Sequence, residues 1–198
     1  MAGPIAGVLL PRPLSEQELA EITLLCAELA TNRVDAARDH YLYIPTTAPI
    51  GGRYIGRPVP LDIDMRRRPT PGTIDETIFR EFGFRPAESI GLSSDINGPE
   101  AHQILGEFCI YFADKFQGIV DFNGPLLPSI PLELYDAHPG GLSWDDVRAL
   151  HEEMVSGLPG RLVVWLYTTV SGRQWASNLA DATFMRAWLA HPCFHMIK

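Results

Sequence analysis

The chain has 198 residues, which is long enough for one domain with a good core or for two small ones. Because 46% of the residues are hydrophobic and 20% are charged, disorder is not expected. No apolar run approaches the ~20 residues that a membrane-spanning helix requires. The net charge of −8 at pH 7 argues against binding to nucleic acid or to an anionic membrane.

The first predicted elements are a strand at residues 5–10 and a helix that begins at Ser15. Ser15 and Glu18 have the spacing of a capping box, in which the two residues satisfy each other's free backbone amides. The apolar residues that follow recur at helical spacing and predict one buried face: Leu19, Ile22, Cys26 and Leu29. A short strand is predicted at residues 41–44.

Seven prolines interrupt residues 45–88, so this part is expected to contain only short elements. The pattern predicts edge strands at 54–59 and 61–65, where missing backbone donors are tolerated, and a short helix at 73–82. Five arginines in this part give a basic segment without a nucleotide-binding motif: Arg53, Arg57, Arg66, Arg67 and Arg68.

The clearest unit of the sequence covers residues 89–124. A strand at 89–96 leads into Asn97–Gly98–Pro99, which opens a helix with proline in its first turn. Gly118 is expected to end this helix, and a strand follows at 119–122. The helix has a wide apolar face that we expect to lie across a sheet: Ala101, Ile104, Leu105, Phe108, Phe112 and Phe116.

The C-terminal part predicts a helix, a hairpin and a second helix. The first helix begins at Ser143; strands at 162–170 and 175–179 then flank Ser171–Gly172; Asp181 or Thr183 caps the last helix. Residues 194–197 are expected to return as a terminal strand. Together these elements predict one α+β domain over residues 1–198, with a mixed or largely antiparallel sheet and helices packed on it.

No combination of residues predicts catalysis, a cofactor or a metal site. His151–Glu152–Glu153 begins like a zinc-protease helix, but position 155 is valine where the second histidine is required. His191 and His195 supply too few ligands for a structural zinc site. Cys26 and Cys109 are expected to be buried thiols, which fits a cytoplasmic protein. Because catalytic motifs and complete ligand sets are missing, the chain is expected not to be an enzyme.

Acidic residues are concentrated between Gly91 and Gly160. This stretch has eleven of them, opposed only by Lys115 and Arg148, which leaves a local charge of −9. A field of one sign attracts partners of the opposite sign, so we expect a protein partner with a basic surface. The candidate partner-binding residues are Asp145, Asp146, Glu152 and Glu153 on one short helix, followed by Asp95, Asn97 and Glu100 at a strand-to-helix junction.

Two parts of the chain resemble DUF6368, an uncharacterised bacterial family. They are the run from Phe116–Gln117–Gly118 through Ile119–Val120–Asp121–Phe122–Asn123–Gly124, and the C-terminal pattern that contains Gly157–Leu158–Pro159–Gly160–Arg161 and Trp188–Leu189–Ala190–His191–Pro192. Small acidic α+β proteins of this kind are often immunity proteins encoded beside polymorphic toxins. The resemblance therefore implies a cytoplasmic protein that neutralises a cognate toxin.

Two alternatives remain open. The first is an enzyme or a small-anion-binding protein with a pocket near the Arg-rich segment 53–68. The second is a subunit of a larger assembly.

Overall fold

The computed structural model describes residues 3–29, 33–36, 39–44, 59–67, 74–124, 126, 149, 152–168 and 174–197. The strands in this part are β1 (Ile5–Leu10), β2 (Arg33–Ala36), β3 (Asp39–Ile44), β4 (Val59–Arg67), β5 (Glu88–Ser93), β6 (Ile119–Asp121), β7 (Leu162–Thr168) and β8 (Gln174–Ala180). The helices are α1 (Glu16–Leu29), α2 (Ile74–Phe82), α3 (Pro99–Phe116) and α4 (Ala182–Leu189), and residues 152–155 are also helical.

The described strands form one sheet of eight strands in the order β2-β3-β4-β5-β1-β6-β8-β7. Every neighbouring pair is antiparallel. The first strand of the chain lies in the middle, where Gly7 is opposite Gly91 of β5 on one side and Asp121 of β6 on the other. The prediction of a single α+β domain with a largely antiparallel sheet is confirmed.

The main core lies between one face of this sheet and the helices α1, α3 and α4. Successive side chains of a strand point to opposite faces, so Val8 and Leu10 meet the apolar face of α3 on this side. The predicted stripes of both long helices are buried, from Leu19 to Leu29 in α1 and from Ala101 to Phe116 in α3. Helical periodicity alone therefore identified the inward faces correctly.

A smaller core occupies the opposite face of the sheet. Leu9 points to this side and packs in one cluster with Ile78 of α2. The cluster is completed by residues from three strands: Ile119, Trp165 and Leu179. Because Phe82 also packs there, the predicted face of the helix at residues 73–82 is confirmed for the part of it that the structure describes.

The predicted capping box is present at the start of α1. The Ser15 amide donates to Glu18 Oε2 at 2.8 Å, and the Glu18 amide donates to Ser15 Oγ at 3.2 Å. Pro99 occupies the first turn of α3, and Asp181 caps α4 by accepting from the Phe184 amide at 2.7 Å. These local signals therefore placed the starts of α1 and α3 correctly, and the structure selects Asp181 from the two candidate caps of α4.

Several element predictions need correction. The strand at 61–65 is not an edge strand, because β4 lies between β3 and β5. Pro60 is accommodated near the start of β4, where its missing amide costs the ladder little. Residues 194–197 are not a strand: Ile197 accepts a hydrogen bond from the Ile5 amide at 2.9 Å, but no ladder follows.

The strands at 89–96 and 119–122 end earlier than predicted, at Ser93 and Asp121. The predicted elements at 54–58 and 143–148 lie outside the described residues, as does the turn at Ser171–Gly172. In the part of the chain that the structure covers, no helix has the length and apolar composition needed to cross a membrane.

Candidate functional site: an acidic loop at the start of α3

A short loop between β5 and α3 presents Asp95, Ile96 and Asn97 at the surface, and Glu100 follows in the first turn of the helix. All four side chains are exposed. The structure thus brings three of the predicted partner-binding residues, Asp95, Asn97 and Glu100, into one loop–helix junction. A surface loop carried by a rigid sheet is a common place for binding residues.

Buried hydrogen bonds fix this loop from below. The side chain of Ser94 is buried, and its Oγ donates to the Pro60 carbonyl at 2.7 Å, while the Ser94 amide donates to the Pro4 carbonyl at 3.0 Å. The N-terminal segment packs tightly against the same turn. A Cβ on Gly3 would lie 2.1 Å from the Ser94 oxygen and 2.3 Å from the Ile96 oxygen.

His102 of α3 holds the other side of the loop. Its Nδ1 accepts from the Met196 amide at 2.9 Å, so the proton of the neutral ring is on Nε2. That Nε2–H donates to Asn97 Oδ1 at 2.9 Å. The orientation of Asn97 is therefore set by a buried imidazole and by the C-terminal segment, and the loop is organised before any partner arrives.

Ile96 is a surface residue that the sequence interpretation did not identify. It is 42% exposed and lies between two polar side chains. The predicted strand extended to residue 96, which would place Ile96 on the same side as Ile90 and Leu92. Because β5 ends at Ser93, that alternation stops and Ile96 points outward instead. The signal in the sequence that could have indicated this exposure is an apolar residue flanked by two polar ones.

The second group of predicted residues lies on a different element. Glu152 and Glu153 are exposed in the helical segment at 152–155, whereas Met154 and Val155 are partly buried and pack against the main core. Asp145 and Asp146 lie outside the described residues.

Three other carboxylates of the acidic stretch have partners within this chain. Glu107 is buried and accepts from Gln103 Nε2 at 3.1 Å, and Asp114 is paired with Arg186 of α4. Asp121 accepts from Ser177 Oγ at 2.5 Å. A run of charge along the chain is therefore not one continuous acidic surface. Asp95 and Glu100 beside the loop, and Glu152 and Glu153 on their separate segment, are exposed carboxylates of this stretch.

The Asp121 cluster secures the turn after β6. Asp121 Oδ1 also accepts from the Asn123 amide at 2.8 Å, and Asn123 has a left-handed backbone with φ 59°. The Gly124 amide donates to Ser177 Oγ at 3.0 Å. Burial raises the pKa of Asp121, and its hydrogen bonds from Ser177 and Asn123 oppose that rise. This arrangement gives the motif at 119–124 a structural role.

The imidazole rings of His191 and His195 both contact the backbone of Cys193. His191 Nδ1 accepts from the Cys193 amide at 3.2 Å, and His195 Nδ1 is 2.9 Å from the Cys193 carbonyl. Both rings pack against Trp188, with centroids 5.2 and 5.5 Å from its ring. Among the described residues, no group of three His, Cys, Asp or Glu side chains is arranged to hold a metal ion.

The model of a family described as a family of unknown function, DUF6368, matches residues 2–198. The chain belongs to this family. No curated protein and no solved structure matches it.

A shallow opening of about 450 Å³ lies between α1 and the end of α3 in this DUF6368 protein. Its charges pair with each other: Arg12 with Glu18 at 2.6 Å, and Lys115 with Glu21 at 2.8 Å. The hydrogen bond from Arg12, followed by those from Ser15, holds the pKa of Glu18 well below its usual range. These four charges are therefore balanced by contacts between neighbouring side chains.

Proposed function

We propose that this protein is a cytoplasmic immunity protein that binds and neutralises a cognate bacterial toxin, and that it does so without catalysis. The observation that supports this function best is the rigid exposed loop that presents Asp95, Ile96 and Asn97, with Glu100 beside it. An inhibitor needs a preorganised surface that complements its target, since ordering a flexible loop on binding would cost affinity. The toxin partner carries a basic surface.

Charge and apolar contact have different roles in this interface. The carboxylates of Asp95 and Glu100 attract a basic surface over distance and accelerate encounter. Ile96 supplies apolar area that is removed from water only in the complex. An apolar residue that is fully desolvated at the centre of a polar rim slows dissociation and adds affinity.

The function is tested by co-expression with the product of the neighbouring gene. We expect that product to arrest growth when expressed alone and this protein to restore growth. A neighbouring product that is not toxic, or toxicity that this protein does not relieve, would contradict the proposed function.

The interface is tested by two matched pairs of variants against the purified toxin. Glu100→Lys is compared with Glu28→Lys, which makes the same charge change at another exposed glutamate on a different helix. We expect Glu100→Lys alone to slow association at low salt and to reduce its salt dependence. Equal effects of the two variants would show that only the net charge matters.

Ile96→Ala is compared with Leu24→Ala, which truncates a side chain of α1 that is 61% exposed. We expect Ile96→Ala to weaken binding about tenfold or more through faster dissociation, and Leu24→Ala to leave it unchanged. Binding that is insensitive to Ile96→Ala would place the toxin on another surface.

A further inference from the structure

The strand β7 is the last strand of the sheet in the part of the chain that the structure describes. Its pairing with β8 continues through all seven residues from Leu162 to Thr168 without a register shift. The sequence of β7 contains no charged residue and no proline. Proteins normally prevent pairing at a free edge with lysine, proline, a bulge or a very short strand, and β7 has none of these.

The hydrogen bonds of β8 show which way the backbone of β7 points. Asn178 faces Val164, but its own amide donates to the Gly124 carbonyl and its own carbonyl accepts from the Phe122 amide, both at 3.0 Å. Both groups of Asn178 are thus directed away from β7. Val164 and Asn178 therefore form a non-hydrogen-bonded pair, and the amide and carbonyl of Val164 point to the open edge.

A second bond confirms this alternation. The Asp181 amide donates to the Arg161 carbonyl at 3.1 Å, so Arg161 points toward β8. Leu162 then points outward, Val163 inward and Val164 outward, because the direction alternates along a strand. The edge thus offers the backbone groups of Leu162 and Val164 for further pairing.

The side chain at the same position is apolar and exposed. Val164 is 55% exposed, whereas Trp165, the next residue, is buried in the smaller core. Outward backbone groups and an exposed apolar side chain thus coincide at one residue near the middle of an uncharged strand. Another β-strand would satisfy both, because it pairs the backbone and covers the side chain.

We propose that β7 pairs antiparallel with β7 of a second copy of this chain, about a two-fold axis at Val164. In this register Val164 is opposite its own copy and Leu162 is opposite residue 166, which gives about six backbone hydrogen bonds. The two Val164 side chains cover each other. A strand without charges is suited to this arrangement, because each of its residues then faces a residue of the same uncharged sequence and no like charges meet. This pairing does not depend on the proposed function.

The association is tested by sedimentation equilibrium of the purified protein over a range of micromolar concentrations. We expect wild type to approach twice the chain mass. Val164→Lys brings two ammonium groups together at the axis and should weaken dimerisation at least about tenfold. Val164→Thr keeps a β-branched side chain and should still dimerise. Leu24→Lys, at an exposed apolar residue of α1, should dimerise like wild type.

Hydrogen exchange of wild type provides a readout that needs no variant. The amides of Leu162 and Val164 should exchange fast in dilute solution and slowly at high concentration. A monomeric wild type at every concentration, exchange that is independent of concentration, or equal dimerisation by folded Val164→Lys and Leu24→Lys would overturn the proposal.

Discussion

Two glycines near the end of the helical segment at 152–155 have left-handed backbones but different surroundings. Gly157 has φ +86°, and no described atom would lie within 4 Å of an added Cβ. Gly160 has φ +95°, and its Cβ would lie 2.2 Å from the Phe184 nitrogen and 2.6 Å from Asp181 Oδ1. Only Gly160 therefore combines backbone strain with a collision at the cap of α4.

We expect Gly157→Ala to lower the free energy of unfolding by about 1 kcal/mol, the usual cost of a left-handed L-residue. Gly160→Ala should cost about 3 kcal/mol or more, because overpacking against the backbone adds to that strain. Urea denaturation of both variants measures the difference. Equal costs would show that the Phe184 turn relaxes freely.

Asp121 makes stability depend on pH through burial. Because burial raises its pKa in the folded state, the ionised carboxylate lowers stability at neutral pH, and this cost disappears as pH falls through the raised pKa to the ordinary range of aspartic acid. Asp121→Asn keeps the oxygen that accepts from Ser177 and Asn123 but carries no charge.

We therefore expect Asp121→Asn to be more stable than wild type at pH 7, with a difference that shrinks as the solution is acidified. Denaturant titrations at a series of pH values measure this difference. An advantage that stays constant down to pH 4, or a variant that is less stable at pH 7, would contradict the account.

At the level of elements, the start of α1 depends on a reciprocal cap. Ser15→Ala removes the oxygen that accepts from the Glu18 amide and should lower the free energy of unfolding by about 1 kcal/mol. Gln17→Ala, in the same turn, removes only a surface hydrogen bond to Glu21 and should change stability by less than about 0.5 kcal/mol. Thermal and urea unfolding compare the two. Equal losses would show that the cap contributes nothing specific.

The elements that sequence could predict are those with local signals. The capping box at Ser15, the proline at the start of α3 and the apolar stripe of α3 each lie within a few residues of the structure they specify. The position of β4 beside β5 has no such local signal, because strand pairing depends on which distant segments cover the core. The same limit applies to Ile96, whose exposure depends on where β5 ends.

At the level of the whole molecule, the charge distribution was predicted only in part. The excess of acidic residues was evident from the sequence, but the fold decides which of them reach solvent. Glu107 is buried, Asp121 is held in the turn that it secures, and the charge of the exposed Asp114 is balanced by Arg186. Those assignments require contacts between α3, α4 and β8, which no local pattern encodes.

The net charge of −8 gives the two proposed associations opposite responses to salt. Two copies of an acidic chain repel each other, so dimerisation through β7 should tighten as sodium chloride is raised from 50 to about 500 mM, where screening is nearly complete. Binding to a basic toxin should weaken over the same range. Sedimentation and binding titrations in parallel measure both. A shared direction would contradict one of the two interfaces.

The central position of β1 has a consequence for how the chain reaches this structure. The strands on its two sides, β5 and β6, follow it by roughly 80 to 110 residues. The middle of the sheet therefore forms only after the ends of long chain segments have been brought together, which costs conformational entropy. Domains dominated by such distant pairings fold in milliseconds to seconds. During synthesis at about 5–20 residues per second, the uncharged strand β1 waits roughly 4 to 22 seconds for its partners. Over that interval the backbone of this strand is open to pairing with another molecule, which is the general hazard of unpaired strands during folding.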